Sequence, residues 1–219
     1  MSETNSKIVE LHFPLQASQI PSDHAYLLYS AISDLIPTAH EAAWLGIHTI
    51  KGQKLAAGTI KIARHAKLRL RLPIDKVSEV YSLAGAKLEL GSEQLRCGIP
   101  EIHMLKPAKR LRARCVLIKV KGSEGKSAEQ QSFTASLAKQ IADLGIKADF
   151  EIEQGLYPNG VDVNLARRAI RIKDAVVTGY GVILNNLNEK DSILIQETGL
   201  GGRRRMGCGL FDPIPDGDD

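Results

Sequence analysis

One histidine of this chain stands close to two lysines, in a segment that could do acid–base chemistry on a phosphate. His48 is followed by Lys51 and Lys54 in the sequence His-Thr-Ile-Lys-Gly-Gln-Lys, here called the histidine segment (residues 48–54). An imidazole exchanges protons near neutral pH, and ammonium groups beside it can neutralise phosphoryl oxygens. For each of the other five histidines, a structural or solvent-exposed role is the simpler interpretation.

A second segment, near the end of the sequence, combines five glycines with three consecutive arginines. Residues 198–211 read Thr-Gly-Leu-Gly-Gly-Arg-Arg-Arg-Met-Gly-Cys-Gly-Leu-Phe and are called the glycine/arginine loop. Glycine allows positive φ and a close approach of backbone N–H groups to an anion, and arginine donates bidentate bonds to phosphate. A mobile, solvated basic loop is the alternative. The residues predicted to contact phosphate are Gly199, Gly201, Gly202, Arg203, Arg204, Arg205 and Gly207.

The glycine/arginine loop does not match a mononucleotide site. Gly202 and Gly207 have the spacing of a P-loop, but Cys208 and Gly209 stand where Lys-Ser/Thr is required. The lysine for the β- and γ-phosphates and the hydroxyl for Mg²⁺ are therefore both missing. A nucleotide-dependent enzyme is disfavoured, and a nucleic-acid backbone is the better source of the phosphate.

Composition restricts the class of protein further. The 219 residues, 43% of them hydrophobic, suffice for one large domain or two small ones. No apolar run approaches the ~20 residues of a membrane span, and the N-terminus has no apolar signal-peptide region, so we predict a cytoplasmic protein without a membrane partner. Three widely spaced cysteines form neither a disulfide framework nor a zinc clip, and we expect no metal and no cofactor.

Hydrophobic periodicity predicts the element order β-α-β-β-α-β in each half of the chain. The first half is predicted to contain a strand at 7–13, a helix capped by Ser22 or Asp23 and ended by Pro37, strands at 43–50 and 57–72 joined by a turn at 51–54, a short helix stopped at Gly85, and strands at 86–90 and 94–105. The second half is predicted to contain a strand at 112–120, a loop at 122–125, a helix from a Ser127–Gln130 capping box to Gly145, strands at 147–153, 161–172 and 176–184, a helix near 189–197 and a last strand.

We therefore predict an α+β fold of two tandem ferredoxin-like (RRM-like) domains. Residues 1–108 form the domain with the histidine segment, and residues 109–219 form the domain with the glycine/arginine loop. Three basic stripes on predicted strands favour RNA backbone binding over ordinary solvated strand faces. Only ten aromatic residues occur, so base stacking is not expected to dominate. The residues of the stripes are Lys67, Arg69, Arg71, Arg112, Arg114, Arg167, Arg168 and Arg171.

Both segments resemble those of a known family. The pattern His-x-aliphatic-Lys-Gly-x-Lys after an N-terminal helix is similar to the active-site segment of the CRISPR-associated endoribonucleases of the sixth Cas family, within the RAMP superfamily. The glycine/arginine loop resembles the glycine-rich loop of that family, especially of its Myxan subtype. The strand at 180–184 and the short helix after it fit the same pattern.

The resemblance implies metal-independent cleavage of CRISPR repeat RNA. The RNA 2′-hydroxyl would attack the adjacent phosphodiester and leave a 2′,3′-cyclic phosphate and a 5′-hydroxyl. His48 would act as general base or general acid, and Lys54, with Lys51 as a further candidate, would stabilise charge on the phosphoryl oxygens. Implied partners are the repeat RNA, the mature guide RNA and other subunits of a CRISPR effector complex. A non-catalytic RNA-binding subunit is the alternative function.

A third active-site group is less defined by the resemblance. Some members of the family use a tyrosine from the first helix, but the matching position in this chain falls near Ser33. Tyr29 lies four residues earlier on the same helical face and is our candidate, with Tyr26 nearby and core packing as the alternative role. His40 is the fallback histidine.

Overall fold

The computed structural model describes residues 7–55, 58–119, 126–156, 163–165 and 167–215, which group by their contacts into two units. The first unit holds the chain up to Leu105, together with Ile170–Val176 and Arg204–Gly207. The second holds Lys106–Ala169, Val177–Arg203 and the chain from Cys208 onward. The domain boundary at residue 108 stays a prediction, and two short later segments join the first unit.

The first unit is built on two antiparallel sheets and one full helix. One sheet has the order β3-β6-β1-β8-β7, with β9 also paired to β1, and the other has the order β2-β5-β4. Its strands are β1 (Ile8–Gln16), β2 (Gln19–Pro21), β3 (Gly46–Ile47), β4 (Gly52–Lys54), β5 (Thr59–Ile62), β6 (Lys67–Pro73), β7 (Lys87–Leu90), β8 (Glu93–Cys97) and β9 (Glu101–Met104). Its helices are α1 (Ala25–Leu35) and the one-turn α2 (Val77–Val80), with 3₁₀ turns at Pro37–His40, Ile74–Lys76 and Tyr81–Leu83.

Period-two alternation in β1 and β6 separates an apolar from a polar sheet face. The apolar residues on one face are completely buried: Val9, Leu11, Phe13, Leu68, Leu70 and Leu72. On the other face, the antiparallel register sets Glu10 opposite Arg71 and His12 opposite Arg69. The antiparallel pairing of β9 with β1 places His103 opposite Glu10 as well. The central strands therefore supply a hydrophobic core on one side and a concentration of ionisable groups on the other.

The second unit contains an antiparallel sheet of order β11-β15-β10-β16, with β14 paired to β15. Its strands are β10 (Leu111–Val116), β11 (Asp149–Ile152), β12 (Gln154–Leu156), β13 (Val163–Leu165), β14 (Arg167–Ile172), β15 (Ala175–Asn185) and β16 (Phe211–Pro213), except that the last three residues of β14 and the first two of β15 group with the first unit. Its core joins apolar side chains of the sheet and of two helices, including Leu111, Val116, Phe133, Leu137, Val182, Leu184, Ile195 and Phe211. No helix of the described residues is both long and apolar enough to cross a lipid bilayer.

The two helices of the second unit end as their sequences indicate. Helix α3 (Lys126–Asp143) is followed by Gly145, whose φ of 69° is the left-handed conformation common after a helix C-terminus. Helix α4 (Glu189–Thr198) begins after Asn188, whose side chain accepts the Asp191 N–H at 2.8 Å. It stops at Gly199, where φ is 68° and the glycine/arginine loop starts. The predicted helix at 189–197 is thus confirmed.

The α+β class is confirmed, but several predicted boundaries in the first half are wrong. Helix α1 begins after His24 without a side-chain cap, so neither Ser22 nor Asp23 caps it. The predicted strand at 57–72 is two strands, because a turn closed by the Ala66 N–H and the Ala63 carbonyl, 2.9 Å apart, lies between β5 and β6. The predicted strand at 43–50 shrinks to β3. The predicted turn at 51–54 instead contains β4, which pairs with β5.

In the second half, the strand predicted at 176–184 is confirmed as β15. The capping box is wrong, because α3 already begins at Lys126 and Ser127 lies within its first turn. Of the strand predicted at 161–172, the structure describes β13 and β14, and residues 161, 162 and 166 lie outside the described part of the chain. The loop predicted at 122–125 lies outside the described residues as well.

Candidate active site

The side chain of His48 lies on the polar face of the first unit's main sheet. His48 directly follows β3, and its backbone N–H donates to the Arg69 carbonyl of β6 at 2.9 Å. Its ring is largely buried, with Nε2 3.2 Å from Oε1 of Glu10. A carboxylate at this distance orients the imidazole and stabilises its charged form. The His48 ring therefore lies among protein groups, beside a carboxylate, rather than in solvent.

Glu10 is the centre of this environment. Its Oε1 accepts from Arg71 Nε and from Arg69 Nη2, each at 2.9 Å, and its Oε2 accepts from Arg69 Nε at 3.1 Å. His12 Nε2 lies 2.9 Å from the same Oε2. Burial alone would raise the pKa of the Glu10 carboxyl, but hydrogen bonds with His12 and His48 and the nearby His48 and Arg71 charges hold that pKa well below its usual range. Glu10 is thus a fixed negative charge beside His48.

Strand β9 extends the same polar face. The rings of His12 and His103 stack with centroids 4.0 Å apart. His103 Nε2 lies 3.4 Å from Oε2 of Glu101, and Lys67 Nζ lies 3.6 Å from the same oxygen. The sheet therefore collects three histidines and two carboxylates that sequence analysis did not group. The alternation of β1 was the only signal for this grouping, and it gave no strand partners.

The histidine segment leaves this face along a backbone that a second buried histidine contacts. The Ile50 N–H donates to His24 Nε2 at 3.0 Å, and His24 Nδ1 lies 2.9 Å from the Pro21 carbonyl. Gly52 is required where β4 meets β5, because a Cβ there would lie 2.6 Å from the Lys61 carbonyl oxygen. Lys51 and Lys54, on either side of Gly52, are exposed to solvent. Their action on a phosphate stays a prediction.

Tyr29 has contacts that favour the packing role left open for it. Its ring is buried, and its hydroxyl donates to the His40 carbonyl at 3.2 Å. The Arg205 guanidinium lies over the ring, 5.3 Å from its centroid. The Tyr26 ring lies 6.2 Å from that of Tyr29. Participation of Tyr29 in cleavage stays a prediction.

The arginine turn of the glycine/arginine loop, Arg204–Gly207, belongs to the first unit. Arg205 Nη1 donates to the Ala39 carbonyl at 3.2 Å. Burial and the neighbouring Arg71 charge lower the pKa of the half-buried Arg204. Gly207 has a φ of 73°, and a Cβ there would lie 2.7 Å from Cγ2 of Thr49, the residue after His48. Part of the predicted phosphate-binding loop thus packs against the histidine segment itself.

Four glycines of the loop use their backbone amides to fold it. Gly199 N–H donates to the Ile195 carbonyl at 2.8 Å, and Gly202 N–H donates to the Leu117 carbonyl at 2.9 Å. Gly201 N–H donates to Gln140 Oε1 at 2.8 Å. Gly207 N–H donates to the Arg204 carbonyl at 3.1 Å. In this conformation these amides already have protein acceptors, so the loop presents arginine side chains, foremost the exposed Arg203, rather than a cradle of free N–H groups.

The three basic stripes carry carboxylate partners of their own. Arg71 is 1% exposed, so it belongs to the network around His48 rather than to the surface. Arg112 and Arg168 both pair with Glu153, at 2.5 and 3.2 Å. Arg167 lies 3.5 Å from Glu129. Two further stripe residues, Arg114 and Arg171, are exposed. Contact of the stripes with RNA stays a prediction.

A family profile and a named relative both match most of this chain. The family profile described as "Cas6 Crispr" matches residues 9–216. A "CRISPR-associated endonuclease Cas6" of Myxococcus xanthus (strain DK1622) is 34% identical over 205 residues, covering 94% of this chain and 81% of that protein.

Solved structures share the fold at low sequence identity. "An RAMP protein binding different RNA substrates" has a TM-score of 0.64 at 14% identity, covering 95% of this chain and 99% of that one. A structure described as "Characterization of a Cas6-related gene from Pyrococcus furiosus" has a TM-score of 0.62 at 15% identity, covering 96% and 99%. At such identities the structures support the fold alone.

Proposed function

Because this chain belongs to the Cas6 family, we propose that it is an endoribonuclease that binds CRISPR repeat RNA and cuts precursor CRISPR RNA into guide RNA. The observation that carries the proposal is the placement of His48, in a chain of this family, against the buried Glu10 carboxylate. The Myxococcus relative, named as an endonuclease, supports the enzymatic class. The cytoplasm is the compartment we infer for this activity.

We also infer that each unit is a ferredoxin-like domain. In the second unit, the strands β10, β11, β15 and β16 are numbered one to four along the chain. In the sheet they lie side by side in the order two-three-one-four. This is the arrangement expected of a β-α-β-β-α-β unit with antiparallel strands. In the first unit, β1, β3, β6 and β9 have the same relative order, and β7 and β8 are additions to it.

The proposed chemistry is transesterification without a metal. A bond forms between the 2′-oxygen and phosphorus, the bond from phosphorus to the 5′-oxygen breaks, and one proton leaves the 2′-hydroxyl while one reaches the leaving oxygen. His48 is suited to one of these proton transfers, since a neighbouring carboxylate orients it. Lys54 and Lys51 are the proposed partners of the phosphoryl oxygens. The products are a 2′,3′-cyclic phosphate and a 5′-hydroxyl.

Cleavage of a repeat RNA in excess EDTA tests the reaction class. We expect cutting at one position in the repeat, with an upstream fragment whose cyclic phosphate opens under mild acid and a downstream fragment that polynucleotide kinase labels without prior phosphatase treatment. A shuffled RNA of equal length is the control. Activity that EDTA abolishes and Mg²⁺ restores would contradict the metal-free reaction. Binding without cutting would instead favour the non-catalytic RNA-binding subunit.

The exposed Arg203 provides the cleanest test of RNA backbone binding. We expect Arg203→Ala to reduce the slope of log affinity against log salt concentration by about one, because one phosphate contact is lost. Arg203→Lys keeps the charge and the same positive φ of 65°, so it controls for backbone strain and should keep the slope. Fluorescence anisotropy of labelled repeat RNA between low and moderate salt measures both. An unchanged slope in the alanine variant would remove Arg203 from the RNA contact.

A further inference from the structure

We propose that His24 is a positioning residue for RNA cleavage, holding the backbone of the histidine segment through the Ile50 amide. The inference rests on the proposed function for its catalytic part, but its structural part can be tested without RNA. His24 lies outside the segment that resembles the family's active site, and sequence analysis assigned it no chemical role. The structure places its ring between the end of β2 and the residue before Lys51.

The partners of His24 determine its tautomer. The Pro21 carbonyl only accepts hydrogen bonds, so Nδ1, 2.9 Å away, must carry the ring proton. The Ile50 N–H only donates, so Nε2, 3.0 Å away, must be the acceptor. The ring is 2% exposed, which keeps water from replacing either partner at low cost. The neutral His24 ring therefore bridges two backbone groups, the Pro21 carbonyl and the Ile50 N–H, and is called the His24 spacer.

This spacer joins three elements of the first unit. The His24 carbonyl accepts the Leu28 N–H at 2.8 Å in the first turn of α1, which fixes the residue to the helix. Its ring holds the β2 end through Pro21 and the histidine segment through Ile50. On one side of Ile50, the His48 N–H is bonded to β6, and on the other side β4 is paired to β5 from Gly52 onward. The Ile50 bond thus anchors the stretch between the proposed acid–base residue and the first proposed lysine.

Loss of this anchor should affect the chemical step more than RNA binding. Misplacement of catalytic groups by about 1 Å can reduce a rate roughly a hundredfold. Ile50 is buried and has no charge to offer a phosphate, so its displacement acts only by moving His48 and Lys51 relative to each other.

Two amide substitutions separate the two ends of the spacer. In His24→Gln, the side-chain oxygen can reach the position of Nε2 and accept the Ile50 N–H, while the bond to Pro21 is lost. In His24→Asn, the side-chain amide can reach the position of Nδ1 and donate to Pro21, while the Ile50 bond is lost. Each variant is neutral and loses one hydrogen bond, so the pair is matched for polarity and for the number of bonds removed.

We expect His24→Gln to keep the single-turnover cleavage rate within roughly threefold and His24→Asn to lower it at least tenfold, with RNA affinity nearly unchanged in both. Amide hydrogen exchange of Ile50 should remain slow in the glutamine variant and become fast in the asparagine variant. Equal rates in the two variants, or a loss that follows thermal stability alone, would overturn the positioning role.

The structural part has two readouts that need no RNA: the Ile50 exchange in the two variants and, in the wild type, the tautomer of His24. In the ¹⁵N spectrum of wild-type imidazoles at neutral pH, His24 should show a protonated Nδ1 and an unprotonated Nε2. The opposite tautomer, or equal Ile50 exchange in both variants, would overturn the anchor itself. A wild-type protein that binds RNA without cutting it would overturn the proposed function and leave these two measurements to decide on the anchor.

Discussion

Replacing His48 with alanine is expected to slow cleavage of repeat RNA by roughly 10²- to 10⁴-fold, the range in which general acid–base groups contribute. RNA affinity should stay within about threefold, because His48 is largely buried and offers little surface to the RNA. Single-turnover cleavage with enzyme in excess measures the chemical step, and anisotropy with the same RNA measures binding. The two results together separate catalysis from recognition.

His40→Ala is the matched control for this experiment. It removes an imidazole from the same unit, but the ring of His40 is exposed and its bond from the Tyr29 hydroxyl is to the backbone carbonyl, which alanine retains. We expect this variant to cleave at nearly the normal rate. If His40→Ala lost activity and His48→Ala kept it, the fallback histidine would take the catalytic role. If both variants kept it, neither histidine would be the acid–base group.

The sequence predicted the features that depend on residues close together in the chain, and it missed those that depend on contacts between distant residues. Local sequence patterns predicted β15, α4 and the end of α3 at Gly145. Alternation, helix caps and the glycine that follows a helix all depend on residues within a few positions of one another. The prediction failed where two strands follow each other in one stretch of alternating residues, as at 57–72, because the Ala63–Ala66 turn has no glycine or proline to mark it. The predicted cap of α1 was also wrong: Ser22 and Asp23 have side chains that can cap a helix, but α1 begins after His24, beyond both.

The candidate site shows the same limit more strongly. The histidine segment is local in sequence, so its spacing with Lys51 and Lys54 could be recognised directly. Glu10 and His24 lie 38 and 24 residues before His48, and they contact the histidine segment, at His48 and at Ile50, only through strand pairing and helix packing. Arg71 reads as a surface cation in the alternating strand, yet its partner across the register is the buried Glu10. Identity of the residues could not reveal this, because a charged residue on a strand is exposed or buried according to its neighbours.

The glycines of the glycine/arginine loop are open to a direct test of whether they fold the loop or bind phosphate. Gly209 is buried, its N–H donates to the Cys115 carbonyl at 2.7 Å, and its φ is 67°. A Cβ at this position would lie 2.1 Å from the Leu200 carbonyl oxygen. Gly202 lies in the same loop, but it is exposed and a Cβ there would meet no heavy atom within 4 Å. The two positions therefore form a matched pair for the same substitution.

We expect Gly209→Ala to lower the free energy of unfolding by roughly 2–4 kcal/mol, since a left-handed conformation and a backbone clash are imposed together. Gly202→Ala should change it by less than about 0.5 kcal/mol, as for an unobstructed surface position. Urea unfolding followed by circular dichroism measures both, and RNA affinity is compared at a temperature where each variant is folded. If the glycines only shape the loop, Gly202→Ala keeps normal affinity. A loss of affinity in that variant at unchanged stability would mean that RNA approaches the backbone at Gly202, and the loop would then bind phosphate through more than its arginines.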